Sequence, residues 1–204
     1  MALTSDPTSD AGASKGEQTR GAILHAAIGR FGRDGFRATS VADIARDADI
    51  SGTLAYNYFD NKRGLFLAAL DDDIATLIDT GVRSLLDTVG DDSWRTSLLA
   101  TLLAALEHHP LARRMLAGLE PAESGRIFDL PAMADLRQAV GDRLRADQAI
   151  GSVRADIDAT PIGNGIVSIF VSLMLAAVQF GIENGEENAA DVLSVVAAAL
   201  DPPA

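Results

Sequence analysis

Apolar side chains recur at every third or fourth position along most of this chain, which is the spacing of amphipathic α-helices. One such stripe, within residues 17–33, consists of Ile23, Leu24, Ala27, Ile28 and Phe31. The same spacing predicts further helices over about 41–48, 52–58, 62–86, 93–109, 111–119, 131–150, 160–182 and 188–200. No run of alternating apolar and polar residues is long enough to make a convincing strand. The pattern therefore predicts an all-α protein.

Two of the predicted helices are short and adjacent, and both are preceded by a serine that can cap the helix N-terminus, Ser40 and Ser51. Asp49 lies between them, where a left-handed backbone is expected, and aspartate tolerates that conformation better than most residues. Gly35, after the first long helix, is placed as a left-handed C-terminal cap. Two short helices joined by about three residues predict a helix-turn-helix unit.

Composition narrows the possible chemistry. The 204 residues include no cysteine and three histidines. This excludes disulfide scaffolds, thiolate metal sites and cysteine nucleophiles, and we predict neither a metal nor a cofactor. The net charge is −12, yet residues 15–64 carry eight basic and six acidic side chains, whereas residues 65–204 carry nine and twenty-one. We therefore expect a polyanion to contact the N-terminal segment only, with random variation in charge as the alternative.

The N-terminal residues and one long apolar run are the places where a secretory signal or a membrane-spanning helix would be found. Residues 1–16 lack the basic and apolar stretches of a secretory signal, and we expect a disordered tail there. The uncharged run 166–182 has about 17 residues, the short limit for spanning a bilayer. It contains polar residues such as Gln179 and is followed by acidic residues rather than by Lys or Arg. We therefore expect a helix buried on most of its circumference, in a cytoplasmic protein that does not contact a membrane.

The N-terminal segment resembles the TetR/AcrR family of bacterial transcriptional regulators. The resemblance covers about residues 17–66 and comprises Thr19-Arg20, Ile23-Leu24, Ala26-Ala27, Phe31, Gly35-Phe36, Thr39-Ser40-Val41, Ile44-Ala45, Ala48, Ile50-Ser51, Tyr56, Tyr58-Phe59, Lys62 and Leu65-Phe66. Two positions depart from the family pattern, which usually has Gly where Asp49 stands and often Lys or another polar residue where Gly52 stands. The resemblance implies a helix-turn-helix DNA-binding domain at 17–61 and a larger helical ligand-binding and dimerisation domain at 62–204.

In that family the second short helix enters the major groove of DNA. The resemblance therefore implies a DNA-binding set of Thr39, Ser40, Gly52, Thr53, Tyr56, Asn57, Tyr58 and Lys62. Asn57 can pair with adenine, and the methyl group of Thr53 can contact that of thymine. Tyr56 and Lys62 are suited to phosphate, as are the hydroxyls of Thr39 and Ser40. Ordinary packing of both tyrosines and a freely solvated Lys62 are the alternatives.

Guanine readout has no candidate on the second short helix, which carries neither Lys nor Arg. Arg37 or Arg46 are the alternatives for that contact. Substituting Tyr56 and Lys62 by alanine is expected to abolish DNA binding and leave the oligomer intact.

The C-terminal part is predicted to form a homodimer and to hold a small molecule. Helices at about 160–182 and 188–200 are apolar on more than one face, and we expect them to pair with their symmetry mates, as in the TetR family. The family also implies a ligand pocket, for which the candidates are Trp94, Leu98, Leu102, His109, Met115, Phe128, Asn164, Phe170 and Met174. Plain core packing is the alternative for each of them.

The predicted function is sequence-specific binding to a double-stranded DNA operator by a repressor that a small-molecule effector releases. The long helix that begins at Lys62 would join the two domains and transmit the change. An enzyme is the first alternative, but the chain has no P-loop, dinucleotide turn, nucleophile elbow or metalloprotease motif. A scaffold that binds partners through its acidic surface is the second.

Overall fold

The computed structural model describes residues 14–87, 93–181 and 183–202, and within these ranges the regular elements are all helices. The α-helices are α1 (Lys15–Ala38), α2 (Val41–Asp47), α3 (Gly52–Tyr58), α4 (Lys62–Gly81), α5 (Arg83–Leu86), α6 (Ser93–Ala105), α7 (Pro110–Leu116), α8 (Pro131–Ala149), α9 (Ala159–Phe180) and α10 (Glu183–Leu200). Short 3-10 turns cover Leu106–His108 and Ser124–Asp129. The prediction of an all-α fold with an N-terminal helix-turn-helix is confirmed.

Helix α1 begins two residues earlier than the sequence pattern predicts. Ser14 caps it, because its hydroxyl accepts from the backbone N–H of Glu17 while the Glu17 carboxylate accepts from the Ser14 N–H. The predicted tail at 1–16 is therefore wrong for its last two residues, which are helical, and residues 1–13 lie outside the described ranges.

The backbone φ angle is positive at both positions where the sequence predicts a left-handed conformation, Asp49 and Gly35. Asp49 has φ 55°, as the turn between α2 and α3 requires. Gly35 has φ 82° and ψ 168°, so its φ is positive, but its ψ differs from that of a left-handed helical cap. The chain bends at Gly35 and returns to helix until Ala38, so α1 extends beyond the predicted end at Arg33.

Three predicted helix breaks or ends after residue 62 are wrong. The helix expected over 62–86 is divided at Val82, where φ is −123°, and α5 follows. The apolar helix expected to end at Ile182 ends at Phe180, because Gly181 takes φ 89°. Gly185, expected to break the chain there, lies inside α10.

Helix α4 lies at the centre and packs against α1, α6, α7 and α8, while α8 packs along α9. The rings of Phe31 and Phe66 meet edge to face at 5.1 Å, and those of Phe36 and Phe66 at 5.2 Å, which fixes α1 on α4. A single apolar core therefore runs from the helix-turn-helix unit into the larger helical part.

Helices α7 and α8 begin with Pro110 and Pro131 and have no side-chain cap of their own at the preceding residue. Helix α4 supplies the missing acceptors. Asp73 Oδ2 accepts from the backbone N–H groups of α7 at residues 111 and 112, at 3.1 and 2.8 Å, and Asp71 Oδ1 accepts from the Ala132 N–H of α8 at 2.9 Å. Residues two apart on a helix point to different sides, so the two carboxylates reach two different helices.

Helix α9 is long and apolar enough, by length and composition alone, to cross a membrane, and 33% of its most apolar window is buried within the chain. The expectation of burial on most of its circumference is therefore wrong for a single chain. Its buried side packs against α6, α7, α8 and α10, and the rest of its apolar surface faces outward.

Candidate DNA-recognition surface and effector cavity

Helix α3 is anchored by one face and exposed on the other. The Ser51 hydroxyl caps it by accepting from the Leu54 N–H at 3.1 Å. Ala55 is fully buried and Leu54 is half-buried, so this face contacts the rest of the helix-turn-helix unit. The serine cap and the small buried alanine explain why these seven residues form a helix held close to α2.

The opposite face of α3 comprises Gly52, Thr53, Tyr56 and Asn57. Thr53 and Asn57 are exposed, and Tyr56 leaves 55% of its surface in solvent, an unusual exposure for a tyrosine in a protein with so apolar a core. A Cβ atom placed on Gly52 would meet nothing within 4 Å, so the backbone is open to close approach at this point. These residues have the one-turn spacing that forms a continuous surface on a helix.

The structure does not place the Thr39 hydroxyl on this surface. Its side chain is buried, and its hydroxyl donates to the Gly35 carbonyl at 2.8 Å. This hydrogen bond closes the bend at the end of α1. Ser40 is exposed and caps α2 by accepting from the Asp43 N–H at 3.1 Å. The Ser40 hydroxyl donates to the Asp43 carboxylate at 2.6 Å, so a phosphate would compete with that carboxylate for the hydroxyl proton.

Lys62 and Tyr58 lie at the edge of the same surface and are half-buried. The Lys62 ammonium sits 4.5 Å from the centre of the Phe36 ring and 3.4 Å from the Arg37 carbonyl oxygen. It is therefore held in place rather than freely solvated. Tyr58 packs against the apolar core with most of its ring, in line with the packing alternative.

Charged groups stabilise the arrangement of α1 and α2. Arg30 donates to both carboxylate oxygens of Asp47 at 2.7 Å, which ties α1 to the end of α2. This hydrogen bonding holds the pKa of Asp47 below its usual range. Of the two arginines predicted for guanine contact, Arg37 is exposed, and Arg46 is exposed but pairs with Asp43 at 3.1 Å.

A cavity of about 50 Å³ lies in the larger helical part, between α4, α6, α7, α8 and α9. Seventeen residues line it, all of them apolar: Ile74, Leu77, Ile78, Val82, Leu98, Leu102, Ala112, Leu116, Ile127, Met133, Leu136, Val140, Ile166, Val167, Phe170, Val171 and Met174. The predicted pocket residues Leu98, Leu102, Phe170 and Met174 are among them.

Trp94 and Met115, also predicted for the pocket, do not line this cavity. Trp94 is buried beneath α8, with the Arg143 guanidinium 5.8 Å from its ring centre. Met115 is buried in the core of the protein and is not among the residues that line the cavity. Both therefore follow the core-packing alternative.

The polar candidates and Phe128 also lie elsewhere. His109 is buried, and its Nδ1 lies 2.9 Å from the Asp73 carboxylate at the start of α7. Asn164 is exposed on the outer side of α9, and Phe128 is 38% exposed beside Arg137. These three residues therefore do not line this cavity.

Sequence reasoning missed the contact between α7 and the end of α1. Glu120 Oε1 accepts from the Phe36 backbone N–H at 2.9 Å and from Arg114 Nε at 2.7 Å. A Cβ atom on Gly35 would lie 2.8 Å from Glu120 Oε1 and closer still to the Arg114 guanidinium. A second pair joins Arg63 of α4 to the buried Glu123 at 3.1 Å. The 84 positions between Phe36 and Glu120 leave no local sequence signal for this contact.

Residues 23–69 match the family model described as "Bacterial regulatory proteins, tetR family". The match runs from α1 through α2 and α3 into α4, so it covers the exposed face of α3 and the helices that position it. Residues 23–69, which include the exposed face of α3, are therefore similar to bacterial regulatory proteins of the tetR family. That similarity is to regulatory proteins and gives no support to the enzyme alternative.

Other similarities of this chain extend over most of its length. It is 26% identical over 188 residues to "Uncharacterized HTH-type transcriptional regulator YdgC" of Bacillus subtilis, covering 90% of this chain and 93% of that one. The fold matches a TetR-family transcriptional regulator from Pectobacterium atrosepticum with a TM-score of 0.73, at 18% identity, over 95% of this chain and 100% of that one. It also matches the TetR-family repressor FadR of Thermus thermophilus, solved with lauroyl-CoA, with a TM-score of 0.60, at 20% identity, over 87% and 94%.

No group of three or more His, Cys, Asp or Glu side chains in the described ranges is arranged to hold a metal ion.

Proposed function

We propose that this protein is a TetR-family transcriptional regulator, a cytoplasmic bacterial repressor that binds a double-stranded DNA operator through α3. The observation that carries the proposal is the position of Tyr56, Asn57 and Thr53, exposed together on the face of α3 opposite the buried Ala55. A helix presented in this way fits the major groove, where Asn57 can read adenine and Thr53 can contact thymine.

The proposed phosphate contacts are Ser40, Tyr56 and Lys62, and the backbone at Gly52 is open for a close approach. Lys62 is suited to this role because its ammonium group is held over the Phe36 ring and close to the Arg37 carbonyl, which fixes the position of the charge. We propose residues 17–61 as the DNA-binding domain and 62–204 as the effector-binding and dimerisation domain. Helices α1, α4 and α7 pack in one apolar core, so a shift of α4 or α7 would also move α1.

We propose that the regulator is a homodimer that pairs α9 and α10 with their symmetry mates. The outer side of these helices forms an apolar groove lined by Ser168, Ile169, Ser172, Leu173, Val192 and Val195. Val195 is 67% exposed and Phe180 70%, and a soluble chain rarely leaves such residues together in water. A two-fold dimer presents two copies of α3 to a two-fold operator.

We propose that a small molecule in the α4–α9 cavity lowers the affinity for DNA. Two helices connect this cavity with the DNA-binding domain. Helix α4 lines it with Ile74 and Leu77 and begins at Lys62, and α7 lines it with Ala112 and Leu116 and is joined to Phe36 through Glu120. The TetR-family repressor FadR, solved in complex with lauroyl-CoA, supports a small-molecule effector for a protein of this fold. A coupling of about 1–3 kcal/mol between the two sites is typical of such regulation.

Fluorescence anisotropy with labelled DNA from the region upstream of the gene tests the DNA-binding role. We expect tight binding that outcompetes random DNA and weakens linearly with the logarithm of salt concentration. Y56A and N57A are expected to weaken binding by about tenfold or more each, since a good base or phosphate contact is worth about 1–3 kcal/mol.

The matched control is Q138A, because Gln138 is exposed on α8 away from α3. Binding by Y56A and N57A equal to that of Q138A, in proteins that remain folded and dimeric, would reject α3 as the recognition helix.

A further inference from the structure

The lining of the cavity restricts the chemistry of its ligand. All seventeen lining residues carry only carbon, hydrogen and, in Met133 and Met174, thioether sulfur in their side chains. A hydroxyl or amide group placed among them would lose its hydrogen bonds to water without replacement, and an ionised group would lose far more. The side chains that line the cavity therefore offer nothing that selects a polar ligand.

The buried charges nearest to the cavity are already engaged. Asp73 accepts from two backbone amides of α7 and contacts His109. Arg143 donates to Asp147 at 2.7 Å and to the Leu86 carbonyl at the end of α5 at 3.0 Å. An anionic or cationic effector would have to break one of these arrangements to obtain a counter-ion, which costs several kcal/mol.

The size of the cavity indicates how a ligand enters. A volume of about 50 Å³ is smaller than the ~150 Å³ that accommodates benzene in a protein interior. Met133 and Met174 form part of the wall, and unbranched methionine side chains change rotamer readily. The cavity can therefore enlarge by rearrangement of these side chains, next to Ala112 and Leu116 of α7 in the same wall.

We infer that the effector of this regulator inserts a neutral, purely apolar group into this cavity. The inference rests on the proposed effector role of the cavity and adds the chemical class of the ligand. A carboxylate, phosphate or amine on the inserted part is excluded by the lining, so any polar portion of the effector stays outside it.

Matched probe pairs test the inference with the full-length protein and no DNA. Thermal unfolding and isothermal titration calorimetry are run with propylbenzene and with 3-phenylpropanoate at neutral pH. We expect propylbenzene to raise Tm and the charged analogue to bind at least about 100-fold more weakly. Equal or tighter binding of the carboxylate, or no Tm shift by propylbenzene up to its solubility, would overturn the inference.

Cavity-filling variants locate the binding site. L98F adds volume to the wall from α6, and V171F adds it from α9, where Val171 is half-buried and can shift outward. Loss of propylbenzene binding in either variant with a Tm close to that of the wild-type protein supports this cavity as the site. Unchanged binding in a folded variant overturns it.

Operator binding is measured separately, so the two proposals can fail independently. If propylbenzene binds in the cavity but the protein has no preference for any DNA, then the proposed function fails and the ligand class of the cavity stands. If DNA binding is specific and propylbenzene does not bind, the inference fails alone.

Discussion

The Glu120 carboxylate accepts a hydrogen bond from the backbone N–H of Phe36 at 2.9 Å, across 84 positions of sequence. Phe36 lies between the bend of α1 and the start of α2, so this bond fixes the backbone that leads into the helix-turn-helix unit. The same oxygen accepts from Arg114 of α7, the helix that contributes Ala112 and Leu116 to the cavity wall. Glu120 thus links α7 to the backbone that leads into the proposed DNA-binding domain.

Substitution of Glu120 by alanine tests this connection. E120A leaves the partly buried Phe36 N–H without its acceptor, and we expect a loss of about 1–3 kcal/mol in the free energy of unfolding. DNA affinity should fall as well, although Glu120 does not contact DNA in the proposed complex. Urea unfolding and anisotropy measure the two effects. E120Q is the control, since its amide oxygen can still accept from Phe36, and equal losses in both variants would contradict the role of this bond.

Gly35 makes room for the same contact. G35A forces alanine into φ 82° and brings its Cβ against Arg114 and Glu120, so we expect destabilisation of more than about 1 kcal/mol. The matched control is G21A in the exposed interior of α1, where a Cβ meets nothing within 4 Å and alanine should stabilise by about 0.5–1 kcal/mol. Thermal unfolding of the two variants should therefore shift in opposite directions, and a shift in the same direction would contradict the assignment at Gly35.

Asp73 is expected to be the most sensitive carboxylate of α4. D73A removes the acceptor for two buried amides of α7 and the partner of His109, and we expect a loss of about 3 kcal/mol on chemical unfolding. D72A is the control, because partial burial raises the pKa of Asp72, and the neighbouring charges of Asp71 and Asp73 add to this increase. Its charged form is disfavoured in the fold, so D72A should cost little. A D73A protein as stable as D72A would contradict the capping role.

Acid stability should depend on the pair between Arg30 and Asp47. The hydrogen bond from Arg30 lowers the pKa of Asp47 in the folded state. The stabilisation is therefore complete above the ordinary aspartate pKa of about 3.9 and is lost as the pH falls through the lower folded value. D47N removes this dependence. We expect the difference in stability between D47N and the wild-type protein to shrink as the pH falls through the lowered folded value, and a constant difference at every pH would contradict the account.

Dimerisation through α9 and α10 is tested by V195E. A charge at this 67% exposed residue of the apolar groove should prevent the paired helices from burying it, so the variant should sediment as a monomer at micromolar concentration. Q138E adds the same charge on exposed α8 and should remain dimeric. A stable monomer in the wild-type protein, or a dimer in V195E, would reject the proposed interface.

The helix-turn-helix unit could be predicted from sequence because its signals are local. Ser40 and Ser51 cap the helices that follow them, and Asp49 takes the positive φ that its position in the turn requires. The exposed face of α3 follows from the same periodicity, since burial of Ala55 places Tyr56 and Asn57 outside. Thr39 is the exception, because its role depends on the bend at Gly35 rather than on its own neighbours.

The cavity and the connection between the domains could be predicted only in part. Leu98 and Phe170 line the cavity as expected, whereas His109 is turned toward Asp73 by a contact 36 positions away in sequence. The absence of a capping residue before Pro110 and Pro131 was a usable signal, since each of these helices then needs an acceptor from elsewhere. The sequence does not reveal that α4 provides both acceptors, because that depends on tertiary packing.

Capping of α7 and α8 from α4 has a consequence for the way the chain reaches its native state. The backbone N–H groups in the first turns of α7 and α8 have no acceptors until Asp73 and Asp71 of α4 pack against them. Neither helix is therefore fully stabilised without α4. A fragment that starts after α4 should therefore retain little of their helical structure. Lys62 separates the proposed DNA-binding and effector-binding domains, but the two domains fold together. Unfolding of the whole protein should therefore be one cooperative transition.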